Sequence, residues 1–184
     1  MNIYLFGMIG TGKTTIGVNI ARRLGWAFDD LDAAIDRMAA KPWRRVVEED
    51  GWLVFRQYEY LICKEWAKKD QIVVALGGGT VRYQWNRDAL SGTGPHIHLI
   101  ARLSVLAERL RKCDRPRVNR DTTMEQDIVS IWRAHRALYY SFADITYRTD
   151  RDQTPLEEAD ALLNLLEEKY SSIKPQLQSI YAEK

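Results

Sequence analysis

Gly7-Met8-Ile9-Gly10-Thr11-Gly12-Lys13-Thr14 is the stretch from which the rest of the chain can be read. It satisfies the pattern G-x-x-x-x-G-K-[ST] in full, directly after an apolar run over residues 3–6 and directly before a helical pattern over 13–24. Each residue type has a physical task there. Glycines let the backbone turn tightly and bring its N–H groups up to phosphate oxygens, while the following helix points the positive end of its dipole at them. A lysine supplies a compact cation for the outer phosphates, and a threonine hydroxyl suits Mg²⁺. The motif therefore predicts a strand, a phosphate-cradling loop and a helix in immediate succession.

Beyond this unit, short apolar runs alternate with longer helical patterns, and that alternation predicts a parallel sheet covered by helices. Strands are expected over 3–6, 27–31, 72–76, 96–101 and 144–148, and helices over 13–24, 51–68, 103–112, 124–142 and 156–170. In the second helix Leu53, Phe55, Tyr58, Ile62 and Trp66 read as one apolar stripe. In the last, Leu156, Ala159, Leu162, Leu163 and Leu166 form the stripe and Glu157, Glu158 and Asp160 are left for solvent. The 184 residues suit a single domain spanning 1–184, with an ordinary globular balance of 46% hydrophobic and 28% charged residues. A net charge of +2 gives no strong pull towards nucleic acid or a membrane. Cys63 and Cys113 have no metal-ligand spacing and read as free thiols in a reducing compartment, and no run is long enough to cross a bilayer. A cytoplasmic monomer is the expectation.

Three further groups of residues belong beside the phosphate cradle. Phe28-Asp29-Asp30-Leu31-Asp32 closes the second expected strand, and strand alternation would put Asp30 and Asp32 on one face, at the end where ligands of open α/β sheets sit. One carboxylate there can complete a Mg²⁺ shell and another can accept a hydroxyl proton; on its own, the same segment also reads as an Asp capping a helix through Ala33-Ala34-Ile35. Gly77-Gly78-Gly79 follows the third strand and offers backbone that no side chain shields. Arg56 and Arg136 carry the planar fork that grips a carboxylate, although an arbitrary arginine is usually a solvated surface residue. The stretch 102–120 holds seven basic residues against Glu108 and Asp114, which suits a flap that neutralises a triphosphate.

Taken in order, residues 7–14, 28–32, 51–59 with Phe55-Arg56 inside, 74–79, Arg115-Pro116 and 136–139 resemble the shikimate kinases, over nearly the whole chain to about residue 149. The phosphate loop alone marks a nucleotide user; the D-x-D, F-R-x-x-E, G-G-G and R-P elements in this order make the resemblance specific. It implies an α/β three-layer P-loop kinase fold, with a five-stranded parallel sheet in order 2-3-1-4-5 flanked by helices, a short lid near 111–122 and a substrate-binding region near 32–62. It implies that ATP, with Mg²⁺, donates its γ-phosphoryl to the 3-hydroxyl of shikimate. By position, Gly10, Thr11, Gly12, Lys13, Thr14, Thr15 and Arg115 would bind ATP, and Thr14 and Asp30 would hold Mg²⁺. Asp32, Arg56, Gly78 and Arg136 would bind shikimate, the two arginines through its carboxylate. Lys13, Asp32 as base and the lid's Arg115 would carry the chemistry. Arg109, Arg111 and Arg151 are all open as stacking partners for adenine. The chain departs from the family pattern at 41–47, where bulky residues replace a T-G-x-S-I stretch, and at Ala137, where proline is frequent. A kinase for another small carboxylated polyol and a nucleotide-binding regulatory protein without turnover are the competing readings. The part played by residues 171–184 is left open.

Overall fold

The computed structural model describes residues 1–111 and 122–170. Residues 112–121 of the expected lid, with Cys113 and Arg115, and the tail 171–184 therefore lie outside the described residues. Five strands, β1 (Ile3–Phe6), β2 (Ala27–Asp30), β3 (Ile72–Ala75), β4 (His96–Ile100) and β5 (Ile145–Arg148), form one sheet in the order β2-β3-β1-β4-β5 with every pair parallel. The described helices are α1 (Lys13–Leu24), α2 (Leu31–Ala39), α3 (Trp43–Arg45), α4 (Gly51–Ala67), α5 (Gln84–Leu90), α6 (Leu103–Arg111), α7 (Met124–Phe142) and α8 (Pro155–Lys169). A π-helical turn, Val46–Asp50, joins α3 to α4, and a 3-10 turn, Thr80–Arg82, follows the glycine run. No helix among the described residues is long and apolar enough to cross a membrane.

The central strands are buried along their length, as parallel strands covered on both faces must be. Alternation along β1 then divides the core. Tyr4 and Phe6 face one layer with Trp66, Val74 and Tyr139, while Ile3 and Leu5 face the other with Ile16, Ile20, Leu162 and Leu166. Helices α1 and α8 thus cover one face, and α2, α4, α5, α6 and α7 the other. The caps of the late helices follow local chemistry: Thr123 with Gln126 and Thr154 with Glu157 each form a reciprocal capping box.

Two apolar stripes differ from their sequence expectation. On α4 the buried positions are Phe55, Glu59, Ile62, Cys63 and Trp66, and Leu53 is 74% exposed, because it lies outside the i, i+4, i+7, i+11 row that begins at Phe55. On α8 it is Glu158 that turns inward while Leu156 stays exposed. Burial pushes the Glu158 carboxyl up to about 7, against the lowering effect of Arg109 and Arg151.

Candidate active site

The phosphate loop takes its shape from packing as much as from conformational freedom. A Cβ on Gly7 would lie 2.2 Å from the Leu99 carbonyl oxygen of β4, so only glycine lets the loop leave the sheet there. Gly12, at φ +89°, is the residue before α1 and brings no side-chain cap, so the first N–H groups of that helix keep no side-chain partner of their own. The Thr11 hydroxyl donates to the Met8 carbonyl at 2.8 Å and fastens the loop internally. The Lys13 ammonium donates to the Gly7 and Met8 carbonyls at 3.1 and 3.0 Å, which holds it over the loop. Nearby His98 is fully buried and stacked on Phe6; burial, with Lys13 adding to it, pushes its pKa down to about 4. Its ring is therefore neutral at neutral pH and puts no second positive charge beneath the loop.

The D-x-D segment corrects one expectation. Strand β2 ends at Asp30, and α2 begins at Leu31, so Asp32 sits in the first turn of a helix and not on a strand. Asp30 is its N-cap, with Oδ1 accepting from the Asp32 N–H at 3.0 Å. The capping reading and the ligand reading hold together, because the other oxygen of Asp30 accepts from the Thr14 hydroxyl at 2.7 Å. Asp29 turns away and binds Arg37 and the indole N–H of Trp66. The three carboxylates are thereby sorted, with Asp30 and Asp32 both on the crevice.

That crevice, about 360 Å³, runs past the carboxyl ends of β1, β2 and β3, where open α/β sheets bind ligands. The loop with Lys13, Thr14 and Thr15 lines it together with Trp43, Trp52, Phe55, Arg56 and the glycine run, whose Gly78 lies against Gly7 and Ile9 of the loop. Arg56 lies under the rings of Trp52, Phe55 and Tyr83, at 5.2, 5.0 and 4.8 Å. Its Nη1 donates to Glu59 at 2.9 Å. Glu59 has no exposed surface and also accepts from the Thr80 hydroxyl at 2.7 Å and the Asn86 amide at 3.2 Å, tying α4 to the glycine run and to α5. Glu59→Gln keeps the volume but removes the charge opposite a largely buried guanidinium. It is expected to lower stability by about 2 kcal/mol, read as a lower urea midpoint at unchanged slope.

Of the sequence-expected residues, the crevice brings together Gly10, Gly12, Lys13, Thr14, Thr15, Asp30, Asp32, Arg56 and Gly78, with Thr11 buried behind the loop. It does not bring in Arg136, which is exposed on α7. The row of α7 that meets the crevice and the glycine run is Ile128, Ile131 and Tyr139, at helical spacing, and Arg136 falls beside it. Among the three adenine candidates only Arg109 lines the crevice, donating to the Gly10 and Thr149 carbonyls at 3.0 and 2.9 Å. Arg111 pairs with Glu125, and Arg151 lies over Tyr147. Sequence reasoning passed over Arg82 and Tyr139 as site residues. The only available signal was their nearness to G-G-G and to Arg136, and neither spacing shows that a 3-10 turn and α7 meet.

Comparison with known proteins agrees with this geometry. The shikimate kinase family model matches residues 9–168. A shikimate kinase of Prosthecochloris aestuarii is 37% identical over 167 residues, covering 85% of this chain and 84% of its own. Shikimate kinase 1 of Yersinia enterocolitica is 34% identical over 167 residues, covering 90% and 96%. The shikimate kinase of Acinetobacter baumannii, solved in complex with shikimate, superposes with a TM-score of 0.83 at 28% identity over 92% of this chain and 94% of that one. Motif order, crevice and relatives agree along most of the sequence: this chain belongs to the shikimate kinase family.

Proposed function

We propose that this protein transfers the γ-phosphoryl of ATP to the 3-hydroxyl of shikimate, giving shikimate 3-phosphate on the route to chorismate and the aromatic amino acids. The observation that carries the reading is a single crevice lined both by the phosphate loop and by a guanidinium in an aromatic cage, with Asp32 on its wall as well. The triphosphate lies on the N–H groups of the loop and of α1, with Gly10, Thr11, Gly12, Thr14 and Thr15 around it and Arg109 beside the adenine. Gly78 meets the acceptor through its backbone, and Arg56 holds the acceptor's carboxylate by its fork. Asp32 accepts the proton of the attacking hydroxyl, and Lys13 stabilises the charge that develops between donor and acceptor. Phosphoryl transfer depends on alignment and electrostatics, so these residues act by position more than by covalent chemistry.

Mg²⁺ fits the pair Thr14 and Asp30, whose hydroxyl and carboxylate oxygens are 2.7 Å apart and are the hard donors this ion takes. When bound there it would neutralise charge on the phosphates. Arg115, which lies outside the described residues, is assigned to the lid and the phosphates by family resemblance alone. The protein works as a cytoplasmic monomer on small molecules, without nucleic acid or a membrane. A coupled ADP-release assay with ATP, Mg²⁺ and shikimate, quinate or gluconate tests the reading. Shikimate-dependent ADP release is expected. Silence with shikimate and turnover of another acid would transfer the assignment to a different carboxylated polyol.

A further inference from the structure

With Arg136 outside the crevice, one guanidinium of the expected pair is missing, and the structure offers another. Arg82 ends the 3-10 turn after the glycine run and lines the same crevice as Arg56. Its backbone N–H donates to the Gly79 carbonyl at 3.0 Å, and Arg56 packs against Gly79 so closely that a Cβ there would stand 3.3 Å from Arg56 Nη2. The next residue, Tyr83, lies 4.8 Å from the Arg56 guanidinium. The two arginines thus flank one backbone residue.

The Arg82 side chain is oriented, too. Its Nε donates to the Tyr139 hydroxyl at 3.1 Å, and that hydroxyl donates to the Gly78 carbonyl at 2.8 Å. The two Nη groups of Arg82 make no hydrogen bond to the described residues. Glu59, fully buried, neutralises Arg56, and among the described residues no carboxylate pairs with Arg82. His135, one residue before Arg136, is held below its usual pKa by partial burial and by the Arg82 charge, so it adds no cation of its own at neutral pH. Two guanidinium groups that line one crevice, only one of them paired with a carboxylate among the described residues, suit an anionic group of the ligand.

Resting on the function proposed above, we infer that Arg82, oriented by Tyr139, is the second guanidinium that fixes the carboxylate of the acceptor and so determines specificity for an acid. Tyr139 is a positioning residue, because its hydroxyl sets the guanidinium against the glycine run without reaching the acceptor itself.

The test compares shikimate with its methyl ester at saturating ATP in the parent protein and in R82Q, R82K, R136Q and Tyr139→Phe. R82Q should lose about 30-fold in kcat/KM for the acid, chiefly through KM, while kcat/KM for the ester and KM for ATP stay near the parent values. R82K keeps a charge but not the fork, and should fall between them; it also supplies the readout if glutamine loosens the fold. Tyr139→Phe should raise KM for the acid more than it lowers kcat. Equal losses for acid and ester in R82Q, parent-like selectivity in R82Q, or the acid-selective loss appearing in R136Q instead would each overturn the inference alone. A parent protein inert towards shikimate would overturn both this inference and the function beneath it.

Discussion

Lys13→Met is expected to lower kcat/KM for ATP by about a thousandfold and to weaken nucleotide binding as well. Methionine keeps most of the length and apolar stem of lysine and deletes the ammonium. In the protein this group is held over the loop by the Gly7 and Met8 carbonyls, which fix its orientation. A preorganised charge of that kind costs no rearrangement as negative charge shifts in the transition state, which is why its loss weighs on the rate more than on the fold. Steady-state kinetics and calorimetric titration with ATP supply the two numbers, and a thermal melt verifies that the loop still supports a folded chain. A variant within tenfold of the parent would remove Lys13 from the chemistry.

Asp32→Asn should separate binding from turnover. Loss of a general base typically costs about 10²–10⁴ in rate, and here the loss should fall on kcat while the affinity for ATP is kept. Local structure favours a clean experiment. Asp32 lies in the first turn of α2, where exchanging its charge for an amide costs about 0.3–1 kcal/mol of helix-dipole interaction. The cap itself belongs to Asp30, which accepts from the backbone N–H of residue 32 and so is untouched by the exchange. Single-turnover measurement with ATP and shikimate distinguishes slowed chemistry from slowed release. Parent-like single-turnover rates would deny Asp32 its role as base.

The two variants probe different depths of legibility. Lys13 was readable from the sequence because the groups that hold it, the Gly7 and Met8 carbonyls, are its neighbours in the chain: strand, glycine turn and helix start lie within Ile3–Leu24, and the structure reproduces β1 and α1 with the expected bounds. Asp32 was readable as a crevice residue but through the wrong local geometry. The D-x-D pattern fits two residues of a strand face and also a cap followed by a helix; Ala33, Ala34 and Ile35 settle the matter in favour of the helix by packing Ala34 and Ile35 into the core. The region between α2 and α4, with its bulky Trp43 and Val46, held no clear periodicity, and its short helical turns exist because these side chains pack against α2 and α4.

The sequence by itself determined the parallel sheet, its five strands, the phosphate loop and the family, because each depends on patterns that are local along the chain: period, glycine placement and motif order. Only the tertiary structure decided which arginines line the crevice. Arg56 is placed there by Glu59, whose partners Thr80 and Asn86 are more than 20 residues away, and Arg82 by Tyr139, 57 residues on. Arg136 has the right chemistry one helical row away from the crevice. A guanidinium looks the same in any sequence position; what it can bind is set by the buried groups that aim it, and those come from other elements of the fold.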